Sequence, residues 1–151
     1  MSTAAAIAPE PRSVDRLLGG RKVLHSQPRT PLDWVSLIRH GISSTAIDVL
    51  SKTLHLTQSE LASALAIPER TLARRKKEGT LSSEESAKVV RLARVVERAE
   101  EVFEDLGAAL DWLKSPNAAL GGDTPLSLID TDIGTQSVMD TLGRIEHGVY
   151  G

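Results

Sequence analysis

The stretch that decides the fold runs from Leu56 to Gly79 and reads LTQSELASALAIPERTLARRKKEG. Thr57 and Glu60 have the spacing of a capping box, in which each side chain satisfies a backbone amide at a helix start. Pro68 suits the first turn of a second helix because its φ is already fixed, and Gly79 favours the end of that helix. Two short helices joined by a tight turn predict a helix-turn-helix.

The second of these helices carries a basic face. Residues 69–77 contain five Lys or Arg and one Glu, a net charge of +4. At about 100° per residue, a helix that buries Leu72 turns Arg70, Arg74 and Lys77 away from the core. Such a face suits the major groove and the phosphates of DNA, and the helix-turn-helix spacing favours this over a merely solvated basic face. The predicted DNA-binding residues are Gln58, Arg70, Thr71, Arg74 and Lys77.

Helical patterns also fill the chain on both sides of this stretch, and little period-2 alternation indicates strands. Ser82 and Glu85 form a second capping box, which opens a long helix. The predicted helices cover about 33–40, 44–54, 57–65, 68–79, 82–106, 108–114 and 135–147. The predicted class is therefore all-α, with a helix-turn-helix DNA-binding domain at 32–95 and a compact helical domain at 96–151.

Residues 1–31 read differently, because prolines and glycines interrupt them. Pro9, Pro11, the Gly19-Gly20 pair and Pro28 all fall within this segment. We expect a poorly ordered, flexible N-terminal arm, with a short helix near 14–18.

The long helix after Ser82 has apolar residues spaced 3, 4, 3, 4, 3. They are Val89, Leu92, Val96, Ala99, Phe103 and Leu106. This seam of under three heptads has two interpretations. It is either the core stripe of an amphipathic helix or part of a homodimer interface.

Composition narrows the function classes. The chain has 151 residues and no cysteine, which excludes disulfides and thiolate metal sites and favours a reducing cytoplasm. No apolar run approaches the roughly 18 residues of a membrane span, and the first residues lack the basic start of a signal peptide. The four histidines are scattered, and no phosphate loop or activated nucleophile stands out. We therefore expect no cofactor, no membrane partner and no enzyme.

Charge divides the chain into a basic front and an acidic back. Residues 1–82 hold twelve Lys or Arg against seven Asp or Glu, and residues 83–151 hold six against thirteen. The two halves, +5 and −7, give the net charge of −2. This asymmetry favours two partners of opposite charge.

The C-terminal residues carry a specific series of motifs. Trp112-Leu113 is followed by Pro116-Asn117, Leu120-Gly121-Gly122, Thr124-Pro125-Leu126 and finally Ile145-Glu146 and Gly148-Val149-Tyr150. Together with the helix-turn-helix, this series closely resembles the Xre antitoxins of RES–Xre toxin–antitoxin modules, which carry the Xre/MbcA/ParS toxin-binding domain. The resemblance spans about 33–151.

The resemblance implies a toxin-binding domain at 96–151 and a RES-domain toxin as the partner. Toxins of this type degrade NAD⁺, and their antitoxins obstruct the active-site entrance with the C-terminal end. Family members are typically homodimers that bind operator DNA and regulate their own operon. The predicted toxin-binding residues are Glu146, His147, Val149, Tyr150 and Gly151.

Physical chemistry is compatible with this role for the C-terminal end. The Glu146 carboxylate and a terminal carboxylate at Gly151 would complement a basic NAD⁺ site, and Tyr150 could fill an apolar slot. Trp112 is expected in the core rather than at the toxin. Two alternatives stay open at this point. One is a stand-alone repressor whose C-terminal domain senses a small molecule, and the other is an adaptor whose basic helix is incidental.

Overall fold

A computed structural model of the protein describes residues 12–148, in which short loops join α-helices. The helices are α1 (Val14–Leu17), α2 (Arg21–Leu24), α3 (Pro31–His40), α4 (Thr45–Leu54), α5 (Gln58–Leu65), α6 (Glu69–Glu78), α7 (Ser83–Phe103), α8 (Leu106–Leu113), α9 (Pro125–Leu128) and α10 (Asp132–Glu146), with a 3-10 turn at Ala118–Leu120. Within residues 12–148, β pairing is limited to one isolated bridge between Ser43 and Thr80. The all-α class is thus confirmed.

Two predicted capping boxes begin α5 and α7. The Thr57 hydroxyl accepts from the Glu60 amide at 3.1 Å, while the Glu60 carboxylate accepts from the Thr57 amide at 2.9 Å. Ser82 and Glu85 repeat this exchange at 3.1 and 2.8 Å. A third box at Thr30, which the sequence analysis missed, begins α3. These bonds satisfy amides that a helix start leaves without partners.

The central helix is α7, which packs against α1, α3, α5, α8 and α10. Four members of the apolar seam, Val89, Leu92, Val96 and Ala99, are buried within the chain. The seam is therefore a core stripe covered by the protein's own helices. Its interpretation as part of a homodimer interface is wrong, because its central residues offer no surface to a second copy.

The segment that follows residue 11 belongs to the core. Val14, Leu17 and Leu18 are buried, and the amides of Arg12 and Val14 donate to carboxylates of α7 at 3.0 and 3.2 Å. The prediction of a flexible arm is therefore wrong for residues 12–24, since burial of these leucines outweighs the glycine and proline signals around them. Residues 1–11 lie outside the described part of the chain.

The C-terminal part begins where α7 ends. Glu104 takes a left-handed conformation at φ 60° and stops α7 at Phe103, so the predicted helix to Leu106 ran too far. The predicted domain boundary at 95/96 falls inside α7. Trp112 of α8 is half-buried against Phe103, with ring centroids 5.7 Å apart, in keeping with the structural role expected of it.

The last helix, α10, lies on this C-terminal core. It begins at Asp132, three residues before the predicted start, and buries Val138 and Leu142. Within residues 12–148, no helix combines the length and apolar character needed to span a membrane.

Candidate nucleic-acid interface and C-terminal surface

An apolar contact between α5 and α6 fixes the direction in which α6 faces. Leu61 and Leu65 of α5, Ile67 of the turn and Leu72 of α6 are buried. Ala66 ends α5 in the left-handed region, at φ 54° and ψ 44°, which lets the chain turn sharply before α6. Because Leu72 faces inward, the opposite side of α6 faces outward.

That outward side carries the predicted arginines and lysine. Arg70, Arg74 and Lys77 are exposed, and Thr71 is half-buried beside them. The ion pair between Arg74 and Glu78 is long, at 4.0 Å, and both side chains are about half exposed. The structure therefore brings these predicted residues together on one helix face, with their cationic groups accessible.

Two further basic residues of α6 serve the fold. Nε of Arg75 donates to Oε1 of Glu85 at 2.8 Å, and Nζ of Lys76 lies 2.9 Å from Oδ1 of Asp48. Burial raises the pKa of Glu85, but bonds from the Ser82 amide and the Arg75 guanidinium outweigh burial and leave the pKa below its usual value. Arg75 thus ties α6 to α7, and the accessible charge of α6 is smaller than the sequence count.

A groove of about 380 Å³ runs beside the basic face, between α6 and the start of α7. Thr71 and Arg74 line one side, and Lys88 of α7 lines the other. Nζ of Lys88 donates to the Ala66 carbonyl at 2.9 Å, so this lysine braces the turn. The sequence analysis missed Lys88, because only the packing of α7 on the turn brings it there. Gln58 begins α5, where free amides suit a phosphate.

The predicted toxin-binding carboxylate is engaged within the chain. Glu146, the last residue of α10, accepts two bonds from the Arg98 guanidinium at 2.6 and 3.0 Å. This contact also holds the pKa of Glu146 below its usual value. Glu146 therefore does not project freely from the chain, because Arg98 of α7 lies within reach of the end of α10.

The chain changes direction just after this ion pair. Nδ1 of His147 lies 2.7 Å from the Gly143 carbonyl, and Gly148 has a positive φ of 74°. A glycine in this conformation ends a helix and redirects the chain. The other predicted toxin-binding residues, Val149, Tyr150 and Gly151, lie outside the described part of the chain.

Apart from the basic face of α6 and the end of α10, we searched the described residues for cavities and metal sites. A cavity of about 610 Å³ lies between α1, α3 and α7, where Trp34, Ile38 and Val90 contribute apolar walls. In the part of the chain that the structure describes, no cluster of three His, Asp or Glu residues could hold a metal ion. The basic face of α6 and the end of α10 are therefore the features that call for a functional explanation.

Comparison with known proteins supplies the context for both surfaces. Residues 33–94 match the antitoxin Xre-like helix-turn-helix domain, and residues 98–148 match the antitoxin Xre/MbcA/ParS C-terminal toxin-binding domain. Antitoxin Xre of Yersinia enterocolitica is 36% identical over 118 residues, which are 77% of this chain and 80% of that protein. The chain belongs to the Xre antitoxin family.

Other relatives of this chain have similar coverage. Antitoxin Xre of Photorhabdus laumondii is 31% identical over 76% of this chain and 78% of its own length. A Sphingobium protein named Prs ADP-ribosylating antitoxin is 28% identical over 80% of this chain and 82% of its own length. The protein is thus an antitoxin of a toxin–antitoxin system, with a helix-turn-helix domain followed by a toxin-binding domain, and the predicted family is confirmed.

Proposed function

We propose that this antitoxin neutralises a RES-type toxin that degrades NAD⁺, and that it represses its own operon by binding operator DNA, both in the cytoplasm. In this proposal it inhibits an enzyme and catalyses no reaction itself. The observation that carries the proposal is the presence, in one chain, of an outward basic face on α6 and a domain of the toxin-binding type. The RES identity of the toxin rests on the resemblance of the C-terminal motifs.

The DNA-binding half of the proposal places α6 in the major groove. Arg70 and Arg74 are suited to base edges, and Lys77 to a phosphate, while Gln58 at the start of α5 contacts the backbone. Arg75 and Lys76 remain with their carboxylate partners and contribute little to the contact.

The variant Arg70→Ala/Arg74→Ala tests this half. We expect operator binding in a gel-shift assay to be abolished, and toxin neutralisation to be kept. The matched control is Arg29→Ala/Arg94→Ala. It removes the same amount of positive charge, but at a cavity lined by no residue of α5 or α6, so this variant should bind the operator normally. Lys77→Ala should lower the slope of log affinity against log salt by about one. Unchanged operator affinity of the double variant would contradict the assignment.

The toxin-binding half concerns the residues after Gly148. In our proposal Val149, Tyr150 and Gly151 enter the mouth of the NAD⁺ site, with Tyr150 as an apolar anchor. Glu146 acts differently, since its pairing with Arg98 fixes where the tail leaves α10. The useful deletion therefore removes only residues 149–151 and keeps the ion pair.

Co-expression of this truncated antitoxin with its toxin tests the tail. We expect growth arrest and a fall in cellular NAD⁺, whereas full-length antitoxin protects both. Operator binding and the melting temperature should be unchanged, which serves as the control for folding. If NAD⁺ stays normal and the cells grow, the obstruction comes from within residues 107–148.

An assay with isotopically labelled NAD⁺ distinguishes two kinds of NAD⁺-consuming toxin. The Sphingobium relative is named for ADP-ribosylation, which transfers ADP-ribose to an acceptor instead of simply degrading NAD⁺. For this chain we expect NAD⁺ depletion without a stoichiometric labelled protein when the toxin acts on isotopically labelled NAD⁺. A labelled protein target would replace the RES assignment with an ADP-ribosylating toxin.

A homodimer remains part of the proposal, because helix-turn-helix proteins commonly read two-fold symmetric operators as dimers. Its contact surface must lie outside the buried seam of α7. Light scattering of the free antitoxin at tens of micromolar should give twice the mass of one chain. A strict monomer at that concentration would refute the proposed homodimer.

The stand-alone repressor is the competing function. A small-molecule sensor in the C-terminal domain would not use the cavity of about 610 Å³, which lies between α1, α3 and α7. A toxic gene beside the antitoxin gene supports the proposal, and its absence favours the repressor.

A further inference from the structure

The two interior glycines of α10 have different surroundings. A Cβ atom on Gly134 would lie 1.9 Å from the Leu128 carbonyl oxygen, so the packing of α9 against α10 requires glycine there. A Cβ atom on Gly143 would meet no such neighbour within 4 Å. Gly143 also has helical backbone geometry within Asp132–Glu146. Since glycine weakens a helix interior relative to alanine, the fold itself gives no reason for Gly143.

Gly143 lies in a shallow groove of about 510 Å³ on the outer side of α10. Met139, Asp140, Arg144 and His147 form the rest of its lining. Met139 is half-buried, and its flexible side chain can adapt to another surface. The contact of His147 with the Gly143 carbonyl holds the imidazole at one end of the groove. The exposed backbone at Gly143 is thus bordered by the apolar side chain of Met139, by one acidic and one basic side chain, and by the imidazole of His147.

We infer that the toxin lies across this groove and makes its closest approach to the antitoxin backbone at Gly143. The inference rests on the proposed function and extends the contact from the tail onto the face of α10. The absence of a side chain at this position lets a partner's backbone or planar side chain come within van der Waals distance of the helix.

The toxin is the occupant that the position of the groove favours. The groove lies within the toxin-binding domain at 98–148 and ends at His147, two residues before the proposed inhibitory tail. A toxin that receives the tail must therefore sit next to this groove. At the other end of the same helix, Ile133 is 83% exposed and offers the partner a separate apolar contact.

Gly143→Ala separates the fold from the interface, because the two effects have opposite signs. In the free antitoxin, alanine should raise the melting temperature by about 2–4 °C, since it improves helix propensity where space is open. Affinity for a catalytically inactivated RES toxin of the same operon, measured by calorimetry, should fall at least tenfold. Gly143→Gln, which places a longer side chain in the groove, should weaken binding further.

Ser36→Gln is the matched control, because it places the same side chain on the exposed surface of α3, outside the toxin-binding domain. It should bind toxin normally, and all variants should keep operator binding. Normal toxin affinity of both Gly143 variants would overturn the inference while leaving the proposed function intact. Loss of self-association instead of toxin affinity would assign the groove to a second copy. If the unaltered antitoxin binds no RES toxin, the proposed function fails first.

Discussion

Ala66 occupies a backbone conformation that favours glycine. It ends α5 at φ 54° and ψ 44°, in the turn that sets the angle between α5 and α6. A Cβ atom costs about 1–2 kcal/mol in this region, because it crowds the following carbonyl oxygen. The turn is kept by the buried leucines on either side of it and by Lys88, which donates to the Ala66 carbonyl.

Ala66→Gly should therefore stabilise the protein by up to about 1 kcal/mol, since relief of the left-handed strain exceeds the extra chain entropy of glycine. Urea unfolding would show a higher midpoint at an unchanged slope. Ala87→Gly, at an exposed position inside α7, provides the control and should destabilise by about 1 kcal/mol. Equal destabilisation by both substitutions would show that the turn carries no strain.

At the scale of single residues, the sequence predicted correctly those roles that depend only on nearby residues in the chain. The roles of Thr57 and Leu72 followed from spacing, because capping and helix periodicity act over a few residues. The engagement of Glu146 by Arg98 could not be predicted, since the two residues are 48 positions apart and meet only after α10 has packed on α7.

Helix starts are the element-scale feature with a measurable pH dependence. The backbone amide of Thr57 lowers the pKa of Glu60 below its usual value of 4.5 in the folded protein. A carboxyl group with a lowered folded pKa contributes stability above its unfolded pKa, and this contribution is lost as the pH falls through the folded pKa. The capping of α5 should therefore be complete at pH 7 and weaken below about pH 4.5.

Glu60→Gln isolates this contribution, because glutamine keeps the oxygen acceptor and removes the charge. At pH 7 the variant should melt at a lower temperature than the unaltered protein. As the pH falls through the lowered pKa of Glu60 and the unaltered carboxyl group becomes neutral, the two melting temperatures should converge. A difference that persists after this carboxyl group is protonated would indicate that shape, and not charge, makes Glu60 an effective cap.

The ion pair at the end of α10 is a second element-scale device. Arg98→Gln removes both guanidinium bonds to Glu146 and leaves the buried face of α10 in place. Because the tail then leaves α10 at a less defined position, we expect inhibition of the toxin to weaken, with an inhibition constant several-fold higher. The charge-reversed pair Arg98→Glu/Glu146→Arg should recover most of the loss. No recovery would mean that toxin contacts the arginine or the carboxylate directly.

The end of α7 was predicted less well than its start. Ser82 marks the start by its side-chain chemistry, whereas the helix stops before Glu104, a residue type that gives no stop signal. The core stripe of α7 was predicted as one of two interpretations. Periodicity shows which residues share a face, but it does not show whether the same chain or another covers that face.

At the scale of the whole molecule, the segment before α3 completes the core. Leu17 and Leu18 are fully buried, and the segment also reaches α7 through two backbone bonds to carboxylates. Burial raises the pKa of one of these acceptors, Glu97, above its usual value. The N-terminal helices thus support the same helix, α7, that carries the toxin-binding half.

Leu17→Ala should destabilise the protein by about 2–5 kcal/mol, as expected when a fully buried leucine leaves a cavity. Differential scanning calorimetry and urea unfolding would measure the loss. Leu32→Ala in α3 is the control, because Leu32 is 76% exposed and its removal should change stability little. A small effect of Leu17→Ala would indicate that this segment is a loosely attached arm and not part of the core.

The continuity of α7 has a consequence for recombination between antitoxins. The helix enters both matched regions, 33–94 and 98–148, without a flexible joint between them. One inserted residue would rotate everything downstream by about 100° and advance it by about 1.5 Å. A hybrid that joins the front of one antitoxin to the back of another must therefore preserve helical phase across the splice. Recombination that gives an antitoxin a new combination of operator and toxin would therefore have to join the two genes in helical phase within α7, since no flexible linker is available at this point.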